Sequence, residues 1–367
     1  MPTCGFVREP RRAKRGVAMP LKNQLAKPRI LVVRNDKIGD FMLAWPALAL
    51  LRRSMPDAHI SVLVPAYTRD LARCCPWIDE VLLDPADLRR MNRENFDLLL
   101  TLFSTPRIAW SAWKGRIPLR VAPATKWAQV FYNHRVRQRR SQSRKPEYEY
   151  NLELAAYAIK LLGGTVASNP APYWPVIPAT RLEQRRQLAQ QLDLPLDTPW
   201  VFVHAGSGGS AVNLSVRQYA SLIKRLQQIW PGQNHPAWVL TAGPGEQPMM
   251  QALLEQVCDA DTLVRPYLST EGLAAFAQSL CCADMFVAGS TGPLHVAGAL
   301  NVPTVGFFPA KRSATALRWR PCNGPGRTLA ISAPQAAAEQ ENPMGAIDIE
   351  TAAQEIRNWQ LGLASLS

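Results

Sequence analysis

Arg29-Ile-Leu-Val-Val-Arg-Asn-Asp-Lys-Ile-Gly-Asp40 is the stretch on which the fold turns. Arg29–Arg34 is a short apolar run rich in β-branched residues, so it reads as a buried strand. Asn35–Asp40 reverses the chain, with Gly39 permitting a tight turn. Phe41–Arg53 follows with helical spacing and closes on Arg52 and Arg53, cations that suit a helix C-terminus. A strand apolar on both faces and followed by a helix belongs in a parallel sheet covered on both sides.

The same alternation extends outward. Ala58–Val64, Asp79–Leu83 and Asp97–Phe103 read as strands, and Tyr67–Arg73 as a helix. The proline-rich stretch Pro170–Pro178 reads as a linker, after which the pattern restarts. Helices are expected at Ala179–Gln191, Val216–Trp230, Gln247–Cys258 and Glu271–Cys281. Strands are expected at Pro199–His204, Trp238–Ala242, Met285–Ala288 and Pro303–Phe308. Two successive blocks imply an α/β protein of two Rossmann-like parallel-sheet domains facing across a cleft. The first covers residues 28–175 and the second 176–345. Residues 346–367 form a C-terminal helix, expected to pack back on the N-terminal domain. Met1–Lys27 carries seven Lys/Arg against one Glu without apolar periodicity, and reads as a basic, disordered arm.

The 367 residues carry a formal net charge of +14, which points to nucleic acid, an anionic membrane surface or an acidic substrate without choosing among them. No apolar run approaches the ~18–20 residues that span a bilayer. Arg11, Arg12, Lys14 and Arg15 interrupt any signal-peptide core, so a cytoplasmic chain is expected. The seven cysteines are odd in number and lack a C-x-x-C spacing, as in a reduced protein with no metal site.

Three strand-to-turn junctions of the second domain carry the chemistry. In Ser290-Thr-Gly-Pro-Leu-His295 a Gly/Ser/Thr turn opens a helix, whose first amides and positive dipole end favour an anion. Ser or Thr can equally be a simple N-cap there. His204-Ala-Gly-Ser-Gly-Gly-Ser210 is a glycine-rich turn that matches neither a Walker A loop nor G-x-G-x-x-G. In Gly243-Pro-Gly-Glu246 the carboxylate can accept from ribose hydroxyls. In the first domain, Asp40 opens a helix at the cleft, either as an N-cap or as a general base.

Arg34-x-Asp36-x-x-Gly39-Asp40 together with Ser290-Thr-Gly-Pro-Leu-His295-x-Ala297-x-Ala299-Leu300 resembles glycosyltransferase family 9, the ADP-heptose:lipopolysaccharide heptosyltransferases. The likeness runs from about Pro28 to Phe308. It implies a GT-B fold, an inverting and metal-independent transfer, no cofactor, and Asp40 as catalytic base. It implies a nucleotide-sugar, ADP-heptose first among them, held by Gly206, Ser207, Gly208, Glu246, Ser290, Thr291, Gly292 and His295. The family carries Asp where Ser290 stands and Lys near Val212, so this chain lacks two charges of that pattern.

A basic run, Asn133–Lys145, reads as a loop of the first domain. Arginine suits bidentate contact with carboxylate or phosphate, although such a run can be a merely solvated loop. The resemblance assigns Arg137, Arg139, Arg140 and Lys145, with Arg34, to an anionic glycolipid acceptor such as a lipopolysaccharide core. It also implies peripheral contact with the cytoplasmic face of the inner membrane. Two alternatives share the fold: an enzyme, a nucleotide-sugar epimerase or hydrolase, and a non-catalytic relative that only binds glycolipid. A basic nucleic-acid-binding protein is the alternative from composition, but the basic residues form no recognised reader motif, so no specific nucleic acid is expected.

Overall fold

A computed structural model of the protein describes residues 27–364, apart from 126, 207, 209–211 and 260. The first sheet comprises β1 Arg29–Val33, β2 His59–Pro65, β3 Glu80–Asp84, β4 Leu98–Thr101, β5 Leu119–Pro123 and β6 His134–Val136. The second comprises β7 Trp200–His204, β8 Ala237–Ala242, β9 Val264–Leu268, β10 Met285–Gly289, β11 Thr304–Phe308 and β12 Thr328–Ser332. Every pairing is parallel, as in Leu31↔Ser61 and Leu31↔Leu99. The strand orders are β3-β2-β1-β4-β5-β6 and β12-β11-β10-β7-β8-β9. The two orders are the same topology, each reversing direction once, between β1 and β4 and between β7 and β10. Such a switch point opens a crevice at the carboxyl ends of the strands. The turns after β1, β7 and β10 all lie there.

The helices are α1 Ile38–Met42, α2 Trp45–Ser54, α3 Arg69–Arg73, α4 Pro106–Lys114 and α5 Glu147–Leu161 before the linker. After it come α6 Pro178–Leu192, α7 Val216–Ile229, α8 Gln247–Val257, α9 Leu273–Leu280, α10 Gly292–Ala299 and α11 Ile349–Ala364. The single helix expected over Phe41–Arg53 is two. Pro46 at the start of α2 lacks an N–H, and its ring excludes the carbonyl four residues earlier, so the helix restarts at Trp45. Trp45 through Leu51 are all buried, because α2 is enclosed by the sheet and α5. Trp45 also packs on Trp174 of the linker, ring centroids 4.7 Å apart.

One apolar cluster runs from Ile30 and Trp45 through to Trp200, Phe286 and Leu294, so the two domains share a continuous core. Contacts between α1 and α10 and between α3 and α9 join them beside the cleft. The terminal helix corrects the expectation from sequence. α11 packs on α7 and β12 of its own domain, burying Ala352, Ala353 and Ile356, rather than returning to the N-terminal one. Part of the basic run is likewise not loop, since His134–Val136 adds the edge strand β6 beside β5. Among the described residues, no helix is long and apolar enough to cross a membrane.

Candidate active site

A cleft of about 1400 Å³ separates the two sheets' carboxyl ends. Lys37, Gly39, Asp40, Tyr67 and Asp70 line it from the N-terminal domain. From the C-terminal domain come His204, Gly208, Glu246, Ser290, Thr291, Gly292, His295, Lys311 and Arg312, among others. Asp40 and the Ser290–His295 turn therefore face one space.

Asp40 lies within the single turn of α1 and caps nothing. Its carboxylate accepts a hydrogen bond from Arg34 Nη2. Arg34 Nε donates to Asp36 at 2.8 Å, and Nη1 faces Glu147 Oε1 at 3.3 Å and Asn151 Oδ1 at 3.4 Å. The guanidinium is 3% exposed, so the acceptor role expected for Arg34 is replaced by a structural one. Burial disfavours its charge, but Asp36, Asp40 and Glu147 together raise its pKa above the ordinary arginine value. It thus remains a cation and fixes the Asp40 carboxylate. Burial raises Asp36 to about 6 against the pull of Arg34, with the Asp40 charge adding to the rise. Asp36 does not line the cleft, whereas Asp40 does.

Glu147 is the anchor behind Arg34. It is buried, and it also accepts from Arg140 Nη1 at 2.6 Å and pairs with Arg318 Nη2 at 2.5 Å. Its amide donates to the Arg318 carbonyl at 2.8 Å. Burial lowers Arg140 to about 10, opposed by Glu147. Arg140 is thus committed to this network and not to an acceptor, and Lys145 pairs with Glu153. Arg137 and Arg139 remain exposed. Sequence reasoning missed this pairing and the part of Arg318 in it, because it joins residues far apart along the chain.

Helix α10 starts at Gly292 with no side chain capping its first turn. Thr291 Oγ1 and His295 Nδ1 are buried without a hydrogen-bond partner beside it. Burial lowers the His295 pKa to about 4, so the imidazole is neutral. Its ring presses on Gly39: a β-carbon there would stand 2.8 Å from His295 Cδ2. Gly292 in turn faces Ile38 of α1.

Glu246 braces the glycine-rich loop after β7. Its carboxylate accepts from the amides of Gly208 at 2.8 Å and Gly243 at 2.9 Å, and His204 Nε2 lies at 3.4 Å. Any side chain at Gly206 would strike that carboxylate, at 2.2 Å. Ser207 falls outside the described residues. Asn213, which sequence reasoning missed, closes the loop by donating to the Ala205 carbonyl at 2.7 Å and accepting from Tyr219 Oη at 2.8 Å. Gly289 makes room for it, because a β-carbon would lie 2.3 Å from Asn213 Oδ1. Val212 is exposed at the cleft, while Lys37, Lys311 and Arg312 line it without a carboxylate partner among the described residues.

The arrangement offers a carboxylate on one wall and an amide-lined, cation-flanked anion seat on the other. Residues 87–344 match the family model for glycosyltransferase family 9 (heptosyltransferase), a span that begins after Asp40. A Haemophilus influenzae protein, itself only provisionally assigned as a glycosyltransferase, is 43% identical over 346 residues, covering 90% of this chain and 98% of its own. A family 9 glycosyl transferase from Veillonella parvula superposes with a TM-score of 0.74 at 17% identity, over 93% of this chain and 99% of that one. The E. coli ADP-heptose lipopolysaccharide heptosyltransferase II gives 0.69 at 18% identity, over 92% and 99%. E. coli heptosyltransferase WaaC, solved with ADP, gives 0.65 at 18%, over 90% and 99%. At these identities the structural likeness is one of fold, the two-domain GT-B arrangement.

Proposed function

The chain belongs to glycosyltransferase family 9, and from that premise we propose that it moves a heptose or related sugar from a nucleotide-diphosphate donor to an anionic glycolipid. ADP-heptose is the first donor to test, since a relative of this fold was solved with ADP. The lipopolysaccharide core is the first acceptor. One observation carries the reading: Asp40 and the uncapped start of α10 line one cleft from opposite domains.

In this scheme the donor diphosphate lies on the first amides of α10, beside Thr291 and Lys311. Lys311 and Arg312 supply the positive charge that Val212 does not. An acceptor hydroxyl approaches from the Asp40 side. Its oxygen forms a bond to the anomeric carbon as the bond from that carbon to the diphosphate oxygen breaks. The proton passes to the Asp40 carboxylate, and the electron pair leaves with the diphosphate. Attack opposite the leaving group inverts the anomeric centre. The cations and amides already present stabilise the departing charge, so the scheme needs no metal. Arg137 and Arg139 meet the acceptor's carboxylates or phosphates.

A thermal-shift panel of ADP-, GDP-, UDP- and CMP-sugars tests the donor, because stabilisation by a bound ligand grows with the logarithm of its concentration over Kd. Transfer assays with the best binder and a lipopolysaccharide-core acceptor follow. Stabilisation by none of the four classes sinks the proposal. Release of free sugar with no acceptor requirement favours a hydrolase instead.

A further inference from the structure

Three tryptophans of the N-terminal domain stand in water. Trp110 and Trp113 on α4 are 50% and 49% exposed, and Trp127 is 67% exposed. Val130, three positions after Trp127, is 66% exposed. They form one patch: Trp110 packs on Trp113 at 5.1 Å and on Phe131 at 5.5 Å, and Trp127 meets Phe131 at 6.4 Å. The patch is firmly mounted, since the opposite face of α4 buries Ile108, Ala109 and Ala112 in the core. A contiguous, exposed aromatic patch on a rigid helix marks an interaction surface.

Along the stretch of chain that carries the patch, charge is one-sided. Residues 98–146 contain eleven Lys/Arg and not one Asp or Glu. Lys114 directly follows Trp113 and Arg116 comes two positions later, and both are exposed with no ion pair among the described residues. Arg135 in the edge strand β6 and Arg137 just after it are exposed in the same way. Such a surface complements a negatively charged partner that also accepts apolar side chains.

We propose that Trp110, Trp113, Trp127 and Val130 seat the N-terminal domain on an anionic phospholipid bilayer, with the flanking lysines and arginines at the lipid phosphates. Tryptophan favours the depth where headgroup meets acyl chain, and basic residues add attraction to anionic lipid. The rings pack on one another and on Phe131 rather than standing apart as stacking platforms for bases, and exposed Val130 has no use in base stacking. This favours lipid over nucleic acid. The inference deepens, and rests on, the glycolipid reading of the acceptor. α4 leaves the carboxyl end of β4, adjacent to β1 in the sheet, so the bilayer touches the domain that carries Asp40.

The full-length chain is floated with phosphatidylcholine vesicles, with or without phosphatidylglycerol, beside the triple variant Trp110→Ser/Trp113→Ser/Trp127→Ser. Wild type should bind the mixed vesicles and not the neutral ones. The variant should bind at least about tenfold less, with its stabilisation by ADP unchanged. Equal binding by the variant, or equal binding to neutral vesicles, overturns the proposal. So does tighter binding of wild type to a short DNA duplex than to the mixed vesicles at the same salt. Should the variant not fold, brominated lipid decides with wild type alone: quenching of tryptophan fluorescence supports the seat and its absence refutes it. Failure of ADP to stabilise either chain would remove the donor reading while leaving vesicle binding to decide this one.

Discussion

His295 of the C-terminal domain lies against Gly39 of the N-terminal domain so closely that a β-carbon on Gly39 would sit 2.8 Å from the imidazole Cδ2. The two halves of the cleft are thereby set against each other one position from Asp40. Gly39→Ala should cost about 1–3 kcal/mol of stability, the range for overpacking a filled site. It should also depress transfer, because the intruding methyl displaces either His295 or the turn that carries Asp40. Adding His295→Ala should return part of both losses. A double variant as impaired as the sum of the two single ones would show that the glycine and the histidine act separately.

Asp40→Asn keeps the shape of the carboxylate and removes its basicity. The turnover number should fall by about 10²–10⁴, the usual contribution of a positioned base. Stabilisation by the donor nucleotide should persist, since Asp40 lies on the opposite wall from α10. Transfer near the wild-type rate would assign the proton to another group.

Glu147 holds arginines from both domains in a buried site, namely Arg34, Arg140 and Arg318. Glu147→Gln leaves three cations without their common counter-charge. Breaking a buried pair in this way typically costs about 3–5 kcal/mol, measurable by urea unfolding. Turnover should drop as well, because Arg34 loses the partner that orients it toward Asp40. A variant as stable as wild type would show that the cluster is solvated rather than buried.

His295 also sets a pH dependence. Burial lowers its pKa to about 4, against about 6.5 in the unfolded chain. Between those values the unfolded chain takes up a proton that the folded chain refuses. Stability is therefore full above pH 6.5 and falls as pH drops toward 4, by up to about 3 kcal/mol from this residue. Asp36, raised to about 6 by burial, works in the opposite sense over an overlapping range. Comparison of His295→Gln with wild type cancels the Asp36 contribution. The variant should lose less stability between pH 7 and pH 4.5, and parallel curves would mean that the imidazole is hydrated.

Lys311→Ala should raise the donor KM several-fold with a smaller effect on the acceptor KM, because Lys311 lines the cleft on the α10 side. The salt dependence of donor binding should weaken with it.

Much of this was legible along the chain, for a local reason. A buried parallel strand needs an unbroken apolar run, and the turn after it needs glycine or a short polar residue. Arg29–Gly39 and Met285–Gly292 announce both within a dozen residues. Glu246 was legible as a carboxylate at a strand end, though not as the brace of the Gly206–Gly208 loop. β5 and the edge strands β6, β9 and β12 were not legible, since short strands at or next to a sheet margin carry weaker apolar patterns. β6 was hidden in the arginine run.

By itself the sequence determined two β/α blocks, the placement of their glycine turns at the strand ends, and the candidate pair Asp40 and His295. These follow from periodicity and turn chemistry, which act over a few residues. Only the tertiary structure decided that Arg34 serves Asp40 rather than an acceptor, because burying a guanidinium requires carboxylates, and Glu147 comes from 113 positions away. The partner of α11 and the gathering of Trp110, Trp113 and Trp127 into one patch were likewise matters of packing. A pattern within a segment shows which side chains seek cover, and only the assembled fold settles what covers them.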